Sequence, residues 1–77
     1  LPGEGSIQIK SFRHEEIIKW AEDNLSPIKI HCKDDCVSIL TEHLLEDIQT
    51  IRNNMPFEYS SITYREKELS DLFLYRF

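Results

Sequence analysis

Apolar residues recur at two different spacings along this chain, and the spacing switches back and forth. In 6–10 it is strict alternation: Ile7 and Ile9 point one way, Gln8 and Lys10 the other. A period of two is that of a half-buried strand. Further on the period lengthens, and Ile17, Ile18, Ala21 and Leu25 fall along one side of a helix, with Trp20 at the margin. Ser11 is placed to cap that helix, and Glu15 and Glu16 suit the positive end of its dipole. Ser26 and Pro27 stop it, because the residue before a proline avoids helical backbone. In 28–33 the alternation returns. Ile28, Ile30 and Cys32 share one face; Lys29, His31 and Lys33 share the other.

Beyond Asp34 and Asp35, which read as an N-cap, the spacing predicts a second helix. Val37, Leu40, Leu44, Ile48, Ile51 and Met55 form one stripe, widened by Leu45, and Asn53 and Asn54 before Met55 and Pro56 end it. Residues 59–65 are rich in β-branched and aromatic types, with Ile62 and Tyr64 alternating against Thr63 and Arg65. A charged connection over 66–71 leads to a last predicted strand, 72–77, with Leu72 and Leu74 on one side and Phe73, Tyr75 and Phe77 on the other. No internal repeat, linker or low-complexity segment is evident.

The expected order is β-α-β-α-β-β. Seventy-seven residues suffice for one domain, 1–77, with 1–5 expected to be flexible. The start at Leu1 and Pro2 reads as a piece cut from a longer protein. Strand, helix and strand in succession favour a right-handed parallel crossover. Two crossovers and a terminal hairpin predict an α/β fold: a two-layer sandwich with a mixed four-stranded sheet and both helices on one face. The expected core is Ile7, Ile9, Ile17, Ile18, Ala21, Leu25, Ile28, Ile30, Leu40, Leu44, Ile48, Ile51, Ile62, Leu72 and Leu74.

The net charge of -5 argues against indiscriminate binding to nucleic acid or anionic lipid. Its distribution is uneven. Residues 13–25 hold two positive and four negative side chains, 34–58 one and six, but 26–33 two and none. With both helices on one side, the molecule has an acidic back and a basic, aromatic front. No apolar run approaches the roughly 20 residues that span a bilayer. No signal peptide is visible. Two cysteines cannot make a disulfide framework, so the expected setting is intracellular.

No Gly-rich phosphate loop or nucleophile–base arrangement is recognisable, and neither catalysis, a cofactor nor a small-molecule ligand is expected. The reading is a non-catalytic protein–protein interaction or assembly domain. It would dock a partner or its own copy through the open sheet face at Lys29, His31, Arg65, Phe73, Tyr75 and Phe77, since aromatic and Arg side chains are enriched in interface cores. The alternative is a small RNA- or DNA-binding module on the same face, with bases stacked on rings and phosphates met by Lys and Arg. A third reading uses Cys32 and Cys36 as a redox or metal centre, Cys36 being placed at a helix N-terminus. Against metal, a structural zinc site needs four ligands, and His14 and His43 stand apart.

Overall fold

The computed structural model describes residues 3–67. They form β1 (Gly5–Lys10), α1 (His14–Asn24), β2 (Lys29–Lys33), β3 (Cys36–Thr41), α2 (Leu44–Asn54) and β4 (Ser61–Glu66). The strands make one sheet in the order β2-β3-β1-β4. The α/β architecture of four strands and two helices is the expected one, with a single core joining both helices to one sheet face.

The element order within it is different. The segment 36–41, expected as the start of the second helix, is a central strand, so the described chain runs β-α-β-β-α-β. Asp34 and Asp35 do not cap a helix; they form the two-residue turn of the β2–β3 hairpin, in which Lys33 pairs with Cys36. Asp34 takes a left-handed backbone there (φ 58°), which Asp tolerates better than most residues. This hairpin inserts β3 between β1 and β2. The two strands joined by α1 therefore run parallel but are not neighbours, and all three neighbouring pairs are antiparallel rather than mixed. The result is the split βαβ, or ferredoxin-like, topology. The predicted strand 72–77, with Leu72 and Leu74, lies outside the described residues.

Alternation decides which residues enter the core. Ile7 and Ile9 on β1 and Val37 and Ile39 on β3 are fully buried, as are Ile17 and Ala21 on α1. Leu44, Ile48 and Ile51 of α2 complete the layer, with Leu25 below α1. Ile18, Ile30 and Ile62 pack around its margin. Two expected core residues are corrected. Leu40, on the opposite side of β3 from Val37 and Ile39, is 36% exposed; Ile28, just before the edge strand β2, is 51% exposed. Gly5 lies on the central strand where a Cβ would meet the Arg65 carbonyl oxygen at 2.5 Å and Leu44 Cδ2 at 2.8 Å, so no side chain fits.

The structure also brings out a repeat that inspection of the sequence misses. Advancing thirty positions carries α1 onto α2, Ile7 and Ile9 onto Val37 and Ile39, and Ile18, Ala21 and Leu25 onto Ile48, Ile51 and Met55. The β1–β3 register obeys the same relation, and Gln8 and Ser38, equivalent under it, face each other as Cα partners. An approximate two-fold axis therefore passes between them. It relates two βαβ halves whose similarity lies in the pattern of buried positions more than in residue identity.

Both strand-to-helix junctions obey this symmetry. Neither helix has a side-chain N-cap at the residue preceding it. Three positions before each helix a buried hydroxyl takes over. Ser11 Oγ accepts from the Arg13 N–H (2.9 Å), and Thr41 Oγ1 accepts from the His43 N–H (3.0 Å). Each also donates: Ser11 to the Glu58 carbonyl (2.6 Å), Thr41 to the Asp47 carboxylate (2.5 Å). These bonds brace the turn between each strand and the helix that follows it.

Candidate docking face

The sheet has one face under the helices and one without cover from any described element. Twelve strand positions make up the second face, and the cross-strand register arranges them in three rows. Lys29, Leu40, Ser6 and Arg65 form the first, His31, Ser38, Gln8 and Thr63 the second, and Lys33, Cys36, Lys10 and Ser61 the third. Four of the twelve are Lys or Arg, one is His, and none is acidic. Lys10, Lys29, His31, Lys33 and Arg65 are all exposed.

The exposed acids of the helices lie on the opposite side. On α1, Glu15, Glu16, Glu22 and Asp23 are exposed, as is Glu46 on α2. Cations on the α1 side already face helix carboxylates: Arg13–Glu16 at 3.8 Å and Lys19–Asp23 at 3.9 Å. By contrast the side chains of Lys10, Lys29, His31 and Lys33 make no ion pair or hydrogen bond with another described residue. A chain whose net charge is -5 therefore presents a locally positive sheet face. Such a surface attracts and orients polyanionic partners.

Of the residues expected to form the site, Lys29, His31 and Arg65 are on this face. Lys29 and Arg65 share a row but sit on opposite edge strands, roughly 14 Å apart at the usual strand spacing. Phe73, Tyr75 and Phe77 lie outside the described residues. The described part of the face is polar and basic, and its one large apolar residue is Leu40. Lys10 and Lys33 belong with the expected set; alternation along their strands already placed them on this side. A shallow open concavity at one end of the face is lined by Glu4, Gly5, Ser6, Leu40, Arg65, Glu66 and Lys67. Lys67 and Glu4 pair across it at 3.2 Å.

Cys32 and Cys36 do not form a centre. Cys32 is opposite Val37 on the helix side of the sheet, whereas Cys36 is on the open side. Both are free thiols. Cys36 opens a strand and is not at a helix N-terminus, so the expected activation by a helix end has no basis. Among the described residues no three of His, Cys, Asp and Glu converge to hold an ion. No described helix is long and apolar enough to cross a membrane.

Comparisons with protein-family models, with curated proteins and with solved structures return no match. The topology assigns no function either, since this arrangement hosts many unrelated activities.

Proposed function

We propose that this chain is a non-catalytic interaction domain that docks an acidic protein surface on its open sheet face. One observation carries the reading. The register collects Lys10, Lys29, His31, Lys33 and Arg65 on one face with no acid among its twelve positions, while the exposed helix acids lie on the other side. The runner-up, single-stranded nucleic acid, has the same charge in its favour, but among the described residues the central strands offer no stacking platform. Sheet-based RNA modules stack bases on rings of the central strands. Here those positions hold Ser6, Gln8 and Lys10 on β1 and Cys36, Ser38 and Leu40 on β3.

The test compares binding of poly-glutamate and of a single-stranded oligonucleotide of equal charge by fluorescence anisotropy at low salt. The expected result is binding of poly-glutamate that falls with salt. Reversing Lys10, Lys29 and Lys33 to Glu abolishes it, and reversing Lys19 on α1 leaves it unchanged. Stronger binding of the oligonucleotide would favour the nucleic-acid reading. Binding indifferent to the reversed face would end both.

A further inference from the structure

The outer edge of β2 has no strand beside it among the described residues. We infer that this edge accepts an extended segment of a partner protein as a fifth strand, one with acidic residues at every second position. The inference rests on the docking reading above and gives it a geometry.

An edge strand offers a row of unpaired backbone N–H and C=O groups, which an incoming strand completes. β2 contains neither Pro nor Gly, and its pairing with β3 is continuous from Lys29 to Lys33. Its side chains then choose the guest. On the open face they are Lys29, His31 and Lys33, all exposed and roughly 7 Å apart along the strand. A neighbouring strand places alternate side chains directly opposite them, and opposite charges in such pairs stabilise while like charges repel. Acids at alternate positions satisfy this column. The intervening guest residues fall on the helix side, beside the half-buried Ile30 and Cys32 and the exposed Ile28, which favours apolar types there.

The same column excludes a second copy of the chain. Antiparallel pairing of two β2 strands about His31 sets Lys29 against Lys33 of the other copy, twice. Edge lysines are a general defence against such self-pairing. The other edge, β4, has a single cation, Arg65, among its three open-face positions, so it lacks the column that selects acids.

The experiment uses the 77-residue chain and two seven-residue peptides of identical composition, one alternating valine and glutamate, the other with the glutamates in a block. Affinity is read by anisotropy, and amide hydrogen exchange is followed at each strand. The alternating peptide is expected to bind at least about tenfold more tightly, as a few matched cross-strand pairs provide, and to slow exchange in β2. The double variant Lys29→Glu/Lys33→Glu, checked for folding by circular dichroism, should lose that preference. Equal affinity of the two peptides with β2 exchange unchanged overturns strand addition but leaves acidic docking standing. Protection at β4 instead overturns the choice of edge. No binding of either peptide at low salt overturns both proposals.

Discussion

Replacing Thr41 with Val separates the junction hydrogen bonds from packing. Thr41 is fully buried, and Val has nearly its shape, so no cavity opens. What disappears is the donor to Asp47 Oδ2 at 2.5 Å and the acceptor of the His43 N–H at 3.0 Å. Asp47 is only 8% exposed, so water reaches its carboxylate poorly. Losing a hydrogen bond to such an acceptor costs about 2–3 kcal/mol, and the part-buried His43 N–H adds about 0.5 kcal/mol more. For a domain of this size about 3 kcal/mol corresponds to a fall in Tm of roughly 12–24 °C. The symmetric change Ser11→Ala is an internal control. Its donor bond goes to a neutral carbonyl, Glu58 O, and a loss of about 1–1.5 kcal/mol is expected. Urea unfolding followed by far-UV dichroism and by Trp20 fluorescence measures both. In a double-mutant cycle with Asp47→Ala, the Thr41–Asp47 coupling should exceed about 1 kcal/mol. A Thr41→Val protein within about 0.5 kcal/mol of wild type, or no less stable than Ser11→Ala, refutes the reasoning.

Three further changes probe other parts of the fold. Gly5→Ala forces a Cβ against the Arg65 carbonyl and Leu44, and a loss of about 1–3 kcal/mol is expected in the same urea assay. At the hairpin turn, Asp34→Val should destabilise by about 1–2 kcal/mol because a β-branched residue resists φ 58°, while Asp34→Gly should be neutral or better; melting temperatures report the order. Mild oxidation of dilute folded protein should leave Cys32 and Cys36 unlinked within the chain, since they occupy opposite sheet faces; intact mass measured without reductant checks it.

The segment 36–41 shows why part of the fold was legible and part was not. Val37, Leu40 and Leu44 continue the stripe of Ile48, Ile51 and Met55 backwards at helical spacing, which favours one long helix. The same residues also alternate, with Val37, Ile39 and Thr41 against Cys36, Ser38 and Leu40, and two aspartates precede them at a hairpin-turn position. Both periods fit six residues. Only the presence of β1 and β2 on either side, which together satisfy both backbone edges of β3, decides for the strand. The repeat was hidden for a related reason. Packing fixes where buried side chains recur, not which apolar residue fills each place, so Ala21 and Ile51 are equivalent without looking alike. The cationic face was legible in Lys29, His31 and Arg65, because alternation is local and survives any error in strand order.

Local periodicity alone thus determined that the chain would form strands and helices with one apolar side each, and that the lysines of the strands would stand apart from the acids of the helices. It did so because each side chain's direction follows from its own backbone. Which strands become neighbours, which edge stays open beside Lys29, His31 and Lys33, and which hydroxyls bury themselves at the helix starts were decided by the assembled sheet. Those features depend on contacts between residues far apart in the chain, and no spacing within a short window encodes them.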